Sequence, residues 1–326
     1  MKVVGLEVEP GKTKKKLVKV GEITDNTEVN VPFIVVNGAD DGPVLVLRGG
    51  EHGSEYCGME QVRRVALELD PKKLSGALIA IPNCNPLAYR DGNYKNMKVY
   101  DLAVGNNLDY AARDPKGAFD ARVANLIWEE ALSKADVTLT IHDGAEHQIA
   151  RYIAGPMYTA ETKEYGERAL AIAKAFGVGL PIHYYEVPEY KGIGVELAKR
   201  GVPFMTPEVG GMRCLWKEDM ERGMKGMMNV MKHLKMIEGR PEPSKQIVFK
   251  EEAWLRCNHG GVIRPEFSPL DIPLNVKKGE KLGTITNLLG DELEVIESPF
   301  NGVVTVAVGH CACHTGDWLW GIGKIE

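Results

Sequence analysis

Four short apolar runs, spaced between stretches with helical periodicity, constrain this chain more than any other feature. They are VLVLR (44–48), ALIAI (77–81), VTLTI (137–141) and a run near 203–206. A helix is predicted near 54–69, where Met59, Val62, Ala66 and Leu69 share one face. Phe119, Val123, Leu126 and Ile127 mark a second helix, and further helices are expected near 160–176 and 217–236. Strands separated by helices predict a largely parallel or mixed sheet covered on its faces, an α/β fold. Ligands of such sheets sit beyond the carboxyl ends of the strands.

The remaining segments read differently. Residues 1–43 are β-rich with Gly and Asp punctuation, and Pro82 to about Lys116 is a long polar stretch. EGRPEPSKQ (238–246) has the polarity and prolines of a linker, and only short strands and turns follow it. The expected organisation is a catalytic domain over 1–240 and a small all-β, barrel-like domain over 247–326. The methionine stripe Met220, Met224, Met227, Met228 and Met231 reads as core.

Charge narrows the partners. Forty Lys and Arg against 45 Asp and Glu leave a net charge of −5, so nothing points to nucleic acid or an anionic membrane. The one basic run, KTKKKLVK, is short and reads as a solvated strand edge or tail. No secretory leader and no apolar stretch of about 20 residues is visible, which makes a cytoplasmic protein the expectation. The six scattered cysteines fit reduced thiols better than a disulfide framework.

VLVLR runs directly into GGEHGSE, and VTLTI ends directly at His142. Two imidazoles therefore leave the same edge of one sheet. A catalytic zinc needs three protein ligands and one open position. His52 and Glu55 form a close pair and His142 a distant third, while Gly49, Gly50 and Gly53 let the backbone turn tightly. Glu208, in TPEVGG after the run near 203–206, is a candidate general base for a metal-activated water. Each has a bland alternative: a lone HxxE is a metal site about one time in ten, and a Glu before Gly-Gly is commonly an exposed turn residue. Convergence of three strand ends is what favours the site.

The motifs GGEHGSEYCG, IPNCNPLAYRDG, NNLDY, TIHDG and TPEVGG occur in the order of the succinylglutamate desuccinylase/aspartoacylase family, a group of zinc carboxypeptidase-like hydrolases, which the chain resembles from about Val31 onward. HGGVIRP, VKKGEKLGTI and ESPFNGVVTV resemble the small β-barrel appended to many members. The resemblance implies a carboxypeptidase-like mixed sheet flanked by helices, with one Zn²⁺ on His52, Glu55 and His142 and Glu208 as the catalytic glutamate. It implies hydrolysis of an amide, often in an N-acylated amino acid.

Departures from the family pattern bear on the substrate. Asn107-Leu108-Asp109-Tyr110 stands where members often carry NLNR, and Tyr94 stands where an Arg commonly follows the Asn-Pro pair. Two positive charges are thereby lost, which disfavours a compact, doubly anionic substrate. Asn107, Asp109, Tyr110 and Arg113 are the candidate substrate-binding residues. Arg90 or Tyr94 is the candidate donor to the oxyanion, and Arg90, Arg113 and Arg151 are candidates for a displaced cation. The usual acid two residues before the third ligand is Thr140, although Asp143 follows directly, so the surroundings of His142 are expected to be built differently.

The turn SPFNG lacks the lysine of a lipoyl or biotinyl carrier, so the tail is expected to form a lid, an oligomer contact or a wall of the active site. HCACH (310–314) is a weaker candidate for a second metal site, because residues on a strand alternate sides. His147 and His183 are candidates for the pocket lining. The function that follows is a zinc-dependent amidohydrolase removing an acyl group from a small N-acylated amino acid or amine, with a homo-oligomer open. The rivals are a non-catalytic metal- or ligand-binding homologue and a hydrolase of a peptide, ester or lactam bond.

Overall fold

A computed structural model describes residues 1–92, 111 and 113–325. The strands that carry the argument are β1 (Lys12–Glu22), β2 (Glu28–Asn37), β3 (Asp40–Gly49), β4 (Ser75–Ile81), β5 (Val137–Ile141), β6 (Gln148–Ala154), β7 (Phe204–Gly211), β8 (Glu252–Arg256), β9 (Gly302–Val308) and β10 (Trp318–Lys324). They lie in the order β8-β10-β9-β6-β7-β5-β3-β4-β2-β1. The central pairs β7–β5, β5–β3 and β3–β4 are parallel, and the flanking pairs are antiparallel. This is the mixed sheet that the strand–helix alternation predicts.

The helices are α1 (Tyr56–Glu68), α2 (Pro86–Asp91), α3 (Phe119–Glu130), α4 (Lys163–Phe176), α5 (Ile193–Lys199) and α6 (Lys217–His233). Successive strand residues face opposite sides, so both sheet faces need cover. Leu45 and Leu47 pack with Val62 and Val65 of α1, Phe176 of α4 and Met227 and Met231 of α6. Val46 points the other way, into a cluster with Val123 and Ile127 of α3 and Leu197 of α5. Each fully buried Leu or Ile contributes about 1.5–3 kcal/mol, and two such layers hold the sheet rigid. The methionine stripe is core: Met220, Met227 and Met231 are buried, and Met224 and Met228 pack against them.

One strand is longer than its apolar run. The expectation of a strand near 203–206 falls short, because β7 continues to Gly211. It pairs in parallel with β5 only at Phe204 and Met205, and then pairs antiparallel with β6 from Thr206 to Gly211. Glu208 therefore lies inside a strand, not at its end. The basic run forms exposed edge strand β1, where lysines discourage further strand pairing.

Beyond α6 no α-helix occurs among the described residues. The C-terminal region is antiparallel β structure with its own apolar cluster, including Ile263, Leu282, Ile285, Leu319 and Trp320. A four-stranded sheet forms part of it, from Gly261–Pro265, Lys281–Thr286, Glu292–Glu297 and Ala312–Cys313. The region is joined to the central sheet by backbone pairing, since Val306, Ala307 and Val308 of β9 match Ala150, Ile149 and Gln148 of β6. Among the described residues, no helix is long and apolar enough to cross a membrane.

Candidate metal centre

The turn after β3 builds the first half of the site. Gly50 has φ +64°, a left-handed conformation suited to glycine, and it reverses the chain after the strand. Gly53 has no room for a side chain: a Cβ there would lie 2.0 Å from the carbonyl carbon of Ala88 in α2. Glu55 occupies the cap position of α1, which starts at Tyr56. The helix N-terminus is held by Asp143, whose Oδ2 accepts from the amides of Cys57 (2.9 Å) and Gly58 (3.2 Å). Burial, joined by the charge of Glu55, pushes the Asp143 carboxyl well above the usual range. Asp143 thus secures α1 rather than the ring of His142.

His52, Glu55 and His142 come together and are all buried. His52 Nδ1 lies 2.7 Å from Glu55 Oε1, and His142 Nδ1 lies 3.3 Å from the same oxygen and 3.0 Å from Oε2. The two rings meet edge to face with centroids 5.0 Å apart. One potential ligand atom from each residue falls within 4.8 Å of the others, so the three could hold a metal ion. Glu208 is brought alongside by the sheet: it bridges in parallel register to His142, whose amide donates to Pro207 O and whose carbonyl accepts from Val209 N (both 2.9 Å).

The electrostatics suit a cation. Burial works to raise the carboxyls of Glu51 and Glu55. The charges of His142 and His52 outweigh it at Glu55, holding that carboxyl below the usual range, while the hydrogen bond and charge of His142, then the charges of Arg48 and His52, bring Glu51 down to about 2. Burial likewise opposes charge on His142, but Glu55 and Glu51 raise its pKa well above the usual value. A proton on that ring takes the place of positive charge that the carboxylates demand. Glu51 Oε1 and Glu55 Oε2 are buried without a hydrogen bond among the described residues, Oε2 of Glu55 meeting His142 Nδ1 only as an ion-pair contact. Two imidazole nitrogens, a carboxylate and unsatisfied buried oxygens fit a divalent metal such as zinc. Glu208 is pushed up to about 7, chiefly by burial and further by the charges of Glu55 and Glu51, against the pull of His142 and His52.

Two hollows flank the cluster. One of about 980 Å³ is lined by Glu55, Glu208, Tyr152 of β6, and His310, His314 and Trp318 from the C-terminal region. The other, of about 450 Å³, is lined by Glu51, His142, Thr206, Tyr165, Tyr190 and Lys191. His147 also lines the first hollow. His183 does not line either; its ring is buried in a stack between Tyr185 and Phe249.

Several sequence candidates lie elsewhere. Tyr94, Asn107, Asp109 and Tyr110 fall outside the described residues. Arg90 is exposed on α2 near Asp25, and the Arg113 guanidinium lies 4.1 Å over the ring of Trp128. Neither lines the two hollows. Arg151 is not a displaced substrate cation, because it is buried on β6 and forks onto Asp219 of α6 at 2.7 and 3.0 Å. Among the described residues HCACH forms no group of three ligating side chains; Cys313 is buried, whereas Cys311 and His314 are exposed. Sequence reading passed over Glu51 and Arg48. Both are buried charges in the stretch 48–55, and charge at a strand end that leads into a glycine turn was the available signal.

The profile of the succinylglutamate desuccinylase/aspartoacylase catalytic domain matches residues 41–234. N-alpha-acetyl-L-2,4-diaminobutyric acid deacetylase of Halomonas elongata is 27% identical over 241 residues, covering 72% of this chain and 68% of that protein. The crystal structure of a succinylglutamate desuccinylase from Silicibacter sp. is similar at TM-score 0.84 and 19% identity, over 98% of this chain and 97% of the other. The product-bound ectoine utilization protein EutE (DoeB) from Ruegeria pomeroyi is similar at TM-score 0.82 and 20% identity, over 98% of each chain. At these identities the two structures establish a shared fold.

Proposed function

Because the chain belongs to the succinylglutamate desuccinylase/aspartoacylase family, a family of deacylases, we propose that it is a zinc-dependent amidohydrolase that removes an acyl group from a small N-acylated amino acid or amine. The observation that carries this reading is the convergence of His52, Glu55 and His142 with Glu208 beside them on the next strand. A zinc ion on those three residues would polarise the scissile carbonyl and acidify a water.

The chain's own residues do the rest. Glu208 takes the proton of the attacking water on its carboxylate and delivers it to the leaving nitrogen. Burial, the chief influence raising this carboxyl, suits a group that both takes a proton and gives it back. The hollows on either side of the cluster give the acyl and amine portions separate places, with the C-terminal strands as a wall of the larger one. The absence of lysine and arginine among the described residues lining that larger hollow accords with a substrate that is not doubly anionic there.

The Halomonas deacetylase acts on an N-acetylated diamino acid, as its name states, and compounds of that class head the test panel. Turnover should be measured across N-acyl amino acids, N-acyl amines, esters and peptides with zinc saturated, before and after chelation. Amide hydrolysis that chelation abolishes and zinc restores is expected. Full turnover without metal, or none on any member of the panel, overturns the reading.

A further inference from the structure

We propose that Glu51 is a positioning residue of the metal centre: its carboxylate, in place of an acid at position 140, receives the Nε2–H of His142 and so aims the Nδ1 lone pair at the ion. The inference rests on the reading of His52, Glu55 and His142 as a metal site.

His142 is held from both sides. Its Nδ1 faces Glu55, and its Nε2 lies 3.3 Å from Glu51 Oε2. A neutral imidazole carries one N–H, and a carboxylate at Nε2 keeps the proton there. The opposite nitrogen is then free to ligate, and the ring's orientation and basicity are set by the outer carboxylate.

Position 140 has been given other work. Thr140 lies two residues before His142 on the same side of β5, where the family resemblance leads one to expect an acid. Its Oγ1 instead accepts from Nη2 of Arg48 at 2.6 Å, and Arg48 is its register partner on β3. Glu51 reaches His142 from the turn, where its backbone is pinned. Its carbonyl accepts from Asn85 Nδ2 (3.0 Å), and the neighbouring Gly50 carbonyl accepts from Asn85 N (2.9 Å). Only 2% of Glu51 is exposed, so its carboxylate is confined to this contact and the small hollow beside it.

The test is the zinc affinity of Glu51→Gln, read by competition with a chromogenic chelator, together with the visible spectrum of the Co²⁺-loaded protein. Affinity should fall about 10–100-fold and the cobalt bands should shift, with the melting temperature of the metal-free protein unchanged. Zinc affinity within about twofold of the parent and an unaltered cobalt spectrum overturn the inference. Glu51→Asp, which keeps the charge but withdraws it from the ring, is the second variant should the first not fold; it should lose affinity too, and parental affinity counts against the proposal. A parent protein that binds no metal overturns the reading of the site itself, which separates the two failures.

Discussion

Two groups of buried charge lie on the same sheet and are treated in opposite ways. On β6 and α6, every donor group of Arg151 that is aimed inward is answered. Nε and Nη2 donate to the two oxygens of Asp219, and Nη1 donates to the carbonyls of Leu270 (2.5 Å) and Ile272 (2.8 Å). At the ends of β3 and β5, two imidazoles are crowded by Glu51 and Glu55, and an oxygen of each carboxylate lacks a hydrogen bond among the described residues. Burial of an ion is tolerable when partners neutralise it and costly when they do not. In the first group Arg151 is fully partnered and ties the C-terminal region to α6. The second is incomplete and suited to a cation from outside.

The comparison can be broken most forcefully at Glu208. Glu208→Gln in the zinc-loaded protein should lower kcat by about 10²–10⁴-fold while zinc content stays parental. Steady-state kinetics beside metal analysis decides this, and a parental rate removes Glu208 from the chemistry. Next in size is Asp219→Ala, which strands a buried guanidinium and should cost about 3–5 kcal/mol in urea denaturation. Zinc affinity of the folded fraction should not change; if it does, the two groups are not independent.

His142→Ala sharpens the contrast from the other side. Zinc affinity should drop by more than about 100-fold, beyond the loss expected for an outer partner, while the metal-free melting temperature stays near the parent's. Collapse of the metal-free fold would mean that the cluster is structural after all. The smallest effects are expected for Arg90→Ala and Arg113→Ala. One arginine is exposed and the other lies over Trp128, so kcat/KM should remain within about threefold and stability within about 1 kcal/mol. A tenfold or greater fall in kcat/KM would return either residue to the substrate site.

What could be read in the sequence was whatever depends on local pattern. VLVLR and VTLTI announce β3 and β5 because buried parallel strands are continuous apolar runs, and the histidines that follow inherit their place from the strand ends. α1 and α3 were legible from helical spacing. β6 was not, because Gln148 and Arg151 interrupt QIARYIA, and the partners that make Arg151 tolerable lie on α6 and around Ile272. The length of β7 was lost with it, since β6 supplies the pairing that carries β7 on to Gly211. Glu51 escaped notice for a similar reason: its meaning comes from His142, far along the chain, and a glutamate in a glycine turn has no pattern of its own.

The pairing of β9 with β6 also bears on engineering. Three consecutive residues of β9 complete the ladder of β6, the strand next to the one that bears Glu208. Excising the C-terminal region would therefore leave a bare row of amides and carbonyls one strand from Glu208, an invitation to self-association. The larger hollow is better altered by exchanging the C-terminal side chains that line it than by grafting or deleting the region.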